Sequence, residues 1–569
     1  MKAIHHGILV IVLSLFSLQA EQIWVYVGTY TRGGDSEGIY LSKLDMESAR
    51  LSPAVLVGKA DNPSFLTIAP DGKHLFAVEE IEQFNGRKSG ALRSFAIDSK
   101  TGNLTAINQV PTDGGAPCHL VMDSSGRHVL FANYSGGNAG VYRVETDGKL
   151  SARSGFVQHE GSSVDSRRQN EPHAHSINLD PAGRFAFVAD LGLDKIMIYR
   201  FDAATGALTP NNPAFAKVKP GAGPRHFAFR PDGKFAYVIN EMNSTVTSFA
   251  FDAARGELRE IQTLTTLPQG FEGGNSTAHV EAHPSGRFLY GSNRGHDSIA
   301  VFAVDNESGR LTLVEVEPSG GKTPRNFGID PTGAFLLAAG QSSGNVALFK
   351  INAETGALTP TGSSIDVPRA VCVQFLRPPV EGFSSIFDGK SLEGWEGEEK
   401  WFRVENGAIV AGSLDERIPI NQFLVSEREF GDFELTLKAK LVGQGDNAGI
   451  QFWSQRIPNH HEMIGFQCDV GRAGERSIWG ALYDESRRRT MLSQVPLPTQ
   501  LATRFDDWND FRILAQGPVI TIWINGALAT RYYETQTEDE VPRRGRLGLQ
   551  IHSGPPAEAR YKDIQIREL

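Results

Sequence analysis

Short runs of alternating apolar and polar residues recur along the first two thirds of the chain, each beside a turn of the Pro-Asp-Gly-Lys type. Alternation at period two is typical of β-strands that bury one face. One unit carries such runs at 226–230, 234–240 and 245–252 around a turn glycine at position 233. Helical periodicity is nearly absent. The pattern therefore predicts an all-β fold built from meanders of about four strands.

The turn occurs six times, and its spacing points to the architecture. The turn glycines stand at positions 72, 126, 183, 233, 286 and 333, with spacings of 47 to 57 residues. Such spacings are typical of propeller blades. A second recurring segment, of the type Asp-Ala-Ala-Thr-Gly-Ala-Leu, has looser versions at 45–51 and 146–150 that bring the count to seven. The run at 23–30 acts as a second strand whose inner neighbour comes only at 367–376. We predict a seven-bladed β-propeller over residues 21–377, closed by pairing its last strand with its first.

The repeat stops at a proline-containing linker, residues 378–382, and the composition changes. Six of the seven tryptophans lie beyond it. Runs such as 433–442 and 519–526 alternate at period two. We predict a two-sheet jelly roll over residues 383–569.

Charge and the N-terminus limit the partners and the location. The net charge is −10, the pI is about 5.9 and there is no basic run, so nucleic acid and anionic membranes are not expected partners. Residues 1–20 combine a lysine, an apolar stretch from Ile8 to Leu18 and a small residue, Ala20. We expect a cleaved signal peptide, a periplasmic or secreted protein and no membrane attachment after cleavage; an uncleaved anchor is the alternative. The three cysteines are too few and too scattered for a metal site, and we expect them to be buried.

Polar residues collect at corresponding positions of the blades. An inner strand and the strand that returns beside it begin and end at the same rim, so residues eight before and eight after each turn glycine should surround one mouth of the channel. The first set is Ser64, Cys118, His175, Arg225, Ala278 and Arg325, with Arg369 as the expected equivalent in the closing blade; the second is Glu80, Tyr134, Leu191, Glu241, Arg294 and Gln341. Adjacent positions add His119, His226, His279, Asn326, Asn133, Asn240 and Asn293.

This polar rim predicts a ligand site at the channel mouth. The alternative is that Arg225 and Glu241 form a structural ion pair between blades. Likewise, His119, His226 and His279 could simply cap backbone carbonyls, and Tyr134 could serve packing. A binding protein with a non-catalytic propeller scaffold is the competing class of function.

The segments GAGPRHFAF, EPHAHSINLDPAGR and FLYGSNRGHDSIAVF resemble the seven-bladed lactonase family, which includes propeller-type 6-phosphogluconolactonases and carboxymuconate lactonizing enzymes. The resemblance covers roughly residues 23 to 377. It implies a catalytic group that maps onto His175, Arg225, Glu241 and Arg294. We expect a hydrolase acting on a small-molecule sugar lactone or oxidised sugar, with the lactone, its phosphorylation and the oligomeric state left open.

Lactone hydrolysis needs a base, a cation for the oxyanion and a group for an anionic substrate tail. We expect Arg225 at the oxyanion, Arg294 with Arg325 at the anionic group, and His175 as base with Glu241 orienting Arg225 or water; Glu241 as the base is the alternative. Further substrate-binding candidates are Arg325, His226, Asn133, Asn293 and His119. No cofactor and no metal are expected. The rival interpretation is a Ca²⁺ ion held by Glu80, Asn133 and Glu241.

The C-terminal segments GFSSIFDGKSLEGWEG, FGDFELTLKAKL and NAGIQFWSQ resemble the 3-keto-disaccharide hydrolase family, a concanavalin-like β-sandwich. The resemblance implies cleavage of 3-keto-glycosides, in which the ketone acidifies a neighbouring C–H bond. Candidate residues are Asp469, Asp484, Glu485, His552 and Trp453. A non-catalytic carbohydrate-binding module that uses Trp453, Trp479 and Asp469 is the alternative, as is a glycoside hydrolase whose propeller is auxiliary. Arg487, Arg488 and Arg489 are expected to form a solvated turn.

Overall fold

The computed structural model describes residues 22–378, 382–474, 476–505 and 507–569. The expected signal peptide, residues 1–20, and the middle of the expected linker, residues 379–381, lie outside the described residues. The chain divides into two compact units, the first ending at Pro379 and the second beginning at Val380. Over the described ranges, no helix combines the length and apolar character needed to cross a bilayer.

The first unit is a seven-bladed β-propeller, as predicted. The first blades comprise β1 (Gln22–Thr29), β2 (Gly38–Asp45), β3 (Arg50–Leu51) and β4 (Val55–Lys59); then β5 (Leu66–Ile68), β6 (His74–Glu79), the ribbon β7 (Gln83–Phe84) and β8 (Arg87–Lys88), β9 (Ala91–Ile97) and β10 (Leu104–Pro111). The third and fourth blades comprise β11 (Pro117–Met122), β12 (His128–Asn133), β13 (Asn138–Val144) and β14 (Leu150–Gln158); then β15 (Ala174–Leu179), β16 (Phe185–Asp190), β17 (Lys195–Asp202) and β18 (Ala207–Lys217).

The remaining blades follow the same antiparallel order. They comprise β19 (Pro224–Phe229), β20 (Phe235–Asn240), β21 (Thr245–Asp252) and β22 (Glu257–Thr265); β23 (Ser276–Ala282), β24 (Phe288–Arg294), β25 (Ser298–Val304) and β26 (Leu311–Pro318); and β27 (Pro324–Ile329), β28 (Phe335–Gly340), β29 (Asn345–Ile351) and β30 (Leu358–Asp366). The last propeller strand, β31 (Ala370–Leu376), pairs with β1, so the final strand closes the ring.

The repeated turn has a clear physical basis. Oδ1 of Asp180 accepts hydrogen bonds from the backbone N–H groups of Arg184 (2.6 Å) and Phe185 (2.7 Å). Gly183, inside the turn, has a φ of 65°, a conformation that favours glycine. Apolar side chains then pack between neighbouring blades; Phe187 and Phe227 stack with their ring centroids 5.4 Å apart.

The second unit is a sandwich of two antiparallel sheets. Its elements are β32 (Ser384–Ser385), β33 (Trp395–Glu396), β34 (Phe402–Glu405), β35 (Ala408–Ser413), β36 (Gln422–Phe430), β37 (Phe433–Gly443), β38 (Asn447–Arg456), β39 (Met463–Ala473), β40 (Arg476–Ser477), β41 (Leu482–Glu485), β42 (Thr490–Met491), α1 (Leu497–Ala502), β43 (Asn509–Gln516), β44 (Val519–Ile524), β45 (Ala527–Tyr533), β46 (Gly545–Ile551) and β47 (Ala557–Glu568). One sheet runs β34-β35-β47-β37-β43-β44-β45 and the other β33-β36-β46-β38-β39-β41-β42.

The apolar core of this unit lies between the two sheets. Phe466 and Cys468 of β39 join this core, whereas Gln467 and Asp469, at the intervening positions of the same strand, turn to the other face. All three cysteines are free and buried, as expected.

Candidate functional site

The inner strands of six blades carry a bulge near their start; in β23 it falls at Ala278 and His279, and in the other five it falls at the second residue of the strand. One residue there has no partner of its own on the neighbouring strand, so two successive side chains can turn toward the channel. This extra residue is Cys118 in β11, His175 in β15, Arg225 in β19, Arg325 in β27 and Val371 in β31. All five line one cavity.

This central cavity has a volume of about 230 Å³, including its open mouth. It is lined by Ser64, Phe65, Glu80, Cys118, His175, Arg225, His226, Arg325 and Val371. The structure thus brings together four of the predicted site residues, His175, Arg225, His226 and Arg325, whereas Arg294 lies behind Glu241.

Glu241 is the hub of a buried ion network. Its Oε2 atom accepts a hydrogen bond from Nε of Arg225 at 2.9 Å and lies 3.0 Å from NH2 of Arg294. Its Oε1 atom accepts a hydrogen bond from NH2 of Arg168 at 2.8 Å. One carboxylate therefore neutralises part of the charge of three guanidinium groups.

The charges in this network are fixed at neutral pH. Burial alone would raise the pKa of Glu241, but Arg294 and Arg225 outweigh it and hold that pKa far below the usual range. Burial, with Arg294 and Arg325 nearby, lowers the pKa of Arg225 to about 9, so its guanidinium stays charged. Glu241 is consequently a poor base, and its contacts suit it to orienting Arg225.

His175 sits between Glu241 and a thiol. Its Nε2 atom lies 4.0 Å from Oε2 of Glu241, and its Nδ1 atom lies 3.6 Å from Sγ of Cys118. Burial and the charge of Arg225 hold the pKa of His175 well below that of a free histidine, so the imidazole is neutral. The carboxylate favours a proton on Nε2, which leaves the lone pair of Nδ1 facing the thiol.

Arg325 also lines the cavity. Its guanidinium carbon lies 5.3 Å from the ring centroid of Tyr30, whose hydroxyl donates to Oε2 of Glu80 at 2.8 Å. Burial opposes the charge of Arg325, but Tyr30 and Glu80 outweigh it and raise its pKa. Within the described residues this guanidinium makes no hydrogen bond, so its donors remain available to a ligand.

Three predicted binding residues make other contacts. Asn133 donates to the carbonyl of Thr112 at 3.1 Å, and Asn293 donates to the carbonyl of Thr266 at 2.8 Å. Nδ1 of His119 accepts a 3.4 Å hydrogen bond from the N–H of Ile177. The cavity lining includes none of Asn133, Asn293 and His119.

The prediction that Arg369 is the counterpart of Arg225 in the closing blade is wrong. The N–H of Tyr30 donates to the carbonyl of Arg369, as the N–H of Glu241 donates to that of Gly223, so Arg369 corresponds to Gly223. Both residues have positive φ, 51° and 66°. Val371, two positions later, is thus the counterpart of Arg225, and Tyr30 is the counterpart of Glu241.

Sequence reasoning missed Tyr30 and Arg168. Arg168 lies on the connection between β14 and β15, with 44% of its side chain exposed, and also donates to the hydroxyl of Tyr134 at 3.1 Å. Arg168 occupies no repeat position, whereas Tyr30 occupies the position of Glu241 in the closing blade, where there is no turn glycine from which to count. The only available signal for Arg168 was its location in an unusually long interblade connection.

The donors proposed for Ca²⁺ do not converge on one point. Glu241 is surrounded by arginines, Glu80 accepts from Tyr30, and Asn133 is bound to the backbone. Among the described residues, no group of three or more His, Cys, Asp or Glu side chains is arranged to hold a metal ion. The residues present therefore do not fit Ca²⁺ at this mouth.

A second polar cluster lies on the outer face of the sandwich sheet that contains β38 and β39. Side chains there form a chain of hydrogen bonds: Ser454 donates to Gln451 (2.7 Å), Gln451 to Gln467 (2.9 Å) and Gln467 to Asp469 (2.8 Å). Burial raises the pKa of Asp469 to about 7. The carboxyl can therefore exchange a proton near neutral pH.

Two further residues belong to this face. Gln550 lies in the same row of the sheet as Asp469, across Gly449, and both atoms of its buried amide lack a hydrogen-bond partner in the described structure. Glu485 pairs with Gly465, which also places it on this face, and burial raises its pKa. His552 is exposed and directly follows the end of β46. It lies close enough to Glu485 to offset part of the rise in the pKa of Glu485.

The other candidates of this unit do not reach the cluster. Asp484 points to the opposite face and forms ion pairs with Arg487 and Arg488, so these arginines do not form a merely solvated turn. Trp453 is only 2% exposed, and its Nε1 donates to the carbonyl of Gly431 at 2.6 Å. Trp479 is 1% exposed. Both indoles are thus almost completely buried.

Comparison with known proteins gives two matches along the chain. Residues 24–375 match the family described as "Lactonase, 7-bladed beta-propeller". Residues 382–567 match the family described as "3-keto-alpha-glucoside-1,2-lyase-like domain".

Individual relatives cover the propeller. The 6-phosphogluconolactonase of Bacillus subtilis is 39% identical over 291 residues, which span 51% of this chain and 80% of that protein. The 6-phosphogluconolactonase of Formosa agariphila is 34% identical over 298 residues, 52% of this chain and 83% of that protein. The structure of the periplasmic gluconolactonase of Pseudomonas aeruginosa is 35% identical with a TM-score of 0.59, covering 63% of this chain and all of that one.

Proposed function

Because the chain belongs to the family of seven-bladed β-propeller lactonases, we propose that it hydrolyses a sugar lactone in the central cavity. The observation that carries this proposal is the meeting of two guanidinium groups and neutral imidazoles in one small cavity. Arg225 and Arg325 supply positive charge, and His175 and His226 supply groups that can handle a proton.

The reaction adds water to the lactone carbonyl carbon and then breaks the ring C–O bond. Negative charge develops on the carbonyl oxygen and must be stabilised by donors already in place. We assign this role to Arg225, which donates to Glu241, and to Arg325, whose guanidinium makes no hydrogen bond within the described residues. Arg294 bonds to Glu241 and to the carbonyl of Thr277, so it acts by fixing the carboxylate.

We also propose that the protein is exported and that its substrate is an unphosphorylated aldonolactone. Its N-terminal sequence has the composition of a signal peptide, and one structural relative is a periplasmic gluconolactonase. Phosphorylated sugar lactones arise in cytosolic metabolism, so an exported lactonase would meet lactones formed by oxidation of free sugars.

The test is hydrolysis of D-glucono-1,5-lactone and of its 6-phosphate by the chain from residue 21 onward. The proposal expects acceleration above the spontaneous rate, a higher kcat/KM for the free lactone and no loss of rate with a chelator. Absence of acceleration with both lactones would instead favour a non-catalytic scaffold.

For the C-terminal domain we propose binding and cleavage of 3-keto-glycosides on the face that carries Asp469. The supporting observation is the hydrogen-bonded series ending at this carboxyl, which can take a proton from a C–H bond acidified by the ketone. Cleavage by the wild type and loss of cleavage in Asp469→Asn would support catalysis. Binding without cleavage would identify a carbohydrate-binding module.

A further inference from the structure

Two histidines from neighbouring blades, His226 and His279, meet beside the central cavity. Nδ1 of His226 lies 2.7 Å from Nδ1 of His279, and Nε2 of His279 lies 3.7 Å from Oε2 of Glu281. The Nε2 atom of His226 is buried and has no hydrogen-bond partner in the described structure. His226 also lines the central cavity.

These contacts determine which ring nitrogen carries each proton. The carboxylate of Glu281 favours a proton on the near nitrogen of His279, its Nε2. Nδ1 of His279 is then an acceptor, so Nδ1 of His226 must donate in the 2.7 Å hydrogen bond. Nε2 of neutral His226 is left with a lone pair.

His175 has the opposite arrangement. Glu241 draws its proton to Nε2, and its remaining lone pair, on Nδ1, faces Sγ of Cys118 at 3.6 Å. His226, in contrast, follows the bulge residue Arg225 directly, and the bulge turns both side chains into the cavity.

We propose that His226, rather than His175, is the general base, with His279 and Glu281 as positioning residues; this rests on the proposed lactonase function. The proton of the attacking water passes to Nε2 of His226 while the water oxygen forms a bond to the carbonyl carbon. The ring C–O bond then breaks, its electron pair stays on the ring oxygen, and that oxygen takes the proton back from His226. Water and lactone thus give the hydroxy acid, with no other reactant.

The test compares His226→Gln, His279→Gln, Glu281→Gln and His175→Gln in the full chain, with D-glucono-1,5-lactone as substrate. Glutamine keeps hydrogen-bonding capacity but cannot accept a proton. We expect kcat to fall about 10²-fold or more in His226→Gln and about 10-fold in His279→Gln and Glu281→Gln, with KM nearly unchanged. His283→Gln, a buried histidine that bonds to the carbonyl of Gly333 outside the cavity, is the matched control and should keep full activity.

Chemical rescue separates a lost base from a damaged fold. Added imidazole should restore hydrolysis to His226→Gly but not to Arg225→Ala. Wild-type kcat in His226→Gln, together with loss of kcat in His175→Gln, would overturn the assignment while leaving the lactonase proposal standing. Wild-type kcat in Glu281→Gln would overturn the role of the carboxylate. A wild type without lactonase activity would instead refute the proposed function itself.

Discussion

Nε of Arg225 lies 2.9 Å from Oε2 of Glu241, although 16 residues separate them in the chain. Arg225 begins an inner strand and Glu241 follows the end of the strand that returns beside it, so the blade itself brings the two together. The pair is almost completely buried, with side-chain exposures of 2% and 8%. This buried carboxylate, among three guanidinium groups, stabilises the rim of the channel. It also fixes the orientation of the charged side chain of Arg225.

Replacing Glu241 by glutamine should destabilise the propeller. The change keeps the side chain's shape but leaves the buried charges of Arg225 and Arg294 uncompensated, at a cost of about 3 kcal/mol. Calorimetric unfolding of the full chain should show a lower transition temperature. Glu37→Gln, which breaks an exposed ion pair with Lys59, should leave the transition in place. Equal transition temperatures for Glu241→Gln and the wild type would contradict this role of the network.

Arg325→Gln should impair activity without loss of stability. Its guanidinium makes no hydrogen bond within the described residues, yet it lines the cavity, so we expect kcat/KM for gluconolactone to fall about 10²-fold. Arg369→Gln is the matched control, because Arg369 lies outside the cavity lining and bonds to the carbonyl of Gly33. Steady-state kinetics on both variants decides the matter. An equal loss of kcat/KM in Arg369→Gln would contradict the assignment of Val371, instead of Arg369, as the counterpart of Arg225 in the closing blade.

Asp469 should make stability depend on pH. Its pKa of about 7 lies above the value of 3.8 for a free aspartate, so the folded protein binds this proton more tightly than the unfolded chain. The contribution is full below about pH 4 and disappears as pH rises toward 7, a loss of roughly 4 kcal/mol. Asp469→Asn should match the wild type at pH 3.5 and melt at a higher temperature at pH 8. A constant difference between them across this range would contradict the raised pKa.

Substitutions at Gln550 and Trp453 should distinguish a role in ligand binding from a role in packing. Gln550→Leu removes a buried amide without partners in the described structure, so the sandwich should keep or gain stability while losing affinity for a 3-keto-glycoside. Trp453→Phe removes a hydrogen bond to Gly431 inside the core, so it should lower the unfolding temperature and leave binding intact. Calorimetry and titration of both variants provide the check. Weaker binding in Trp453→Phe alone would favour a tryptophan platform.

The sequence predicted the architecture because one local rule repeats. The turn glycine recurs in six of the seven units, with an aspartate three positions before it in three of them, and counting from the glycine places Arg225 and Glu241 at one rim. The family and the fold are confirmed by the match over residues 24–375 and by the strand order.

Counting from the turn glycine gave the wrong residue in the closing blade. The closing blade has no turn glycine of its own, and its Pro368-Arg369 dipeptide imitates Pro224-Arg225, which led to Arg369 instead of Val371. Bulges move side chains by one position, so alternation alone would put Arg225 and His226 on opposite faces, whereas counting from the turn glycine puts both at the channel mouth.

In the sandwich, Trp453 departs from the alternation of its strand for a similar reason. Its φ of 46° interrupts the alternation of β38 and turns the indole into the core. Alternation did put Gln467 and Asp469 on one face, but sequence alone could not say which face was open to a ligand.

The most direct test of the central claim is kcat/KM for D-glucono-1,5-lactone in the wild type and in Arg225→Lys. Lysine keeps the charge but cannot bond to both Glu241 and the carbonyl of Ala278 in the planar geometry of arginine. We predict wild-type hydrolysis well above the spontaneous rate and a loss of about 10²-fold in a variant that remains folded. Equal activity in the two proteins, or no hydrolysis above the spontaneous rate in the wild type, would contradict a lactonase site built around Arg225.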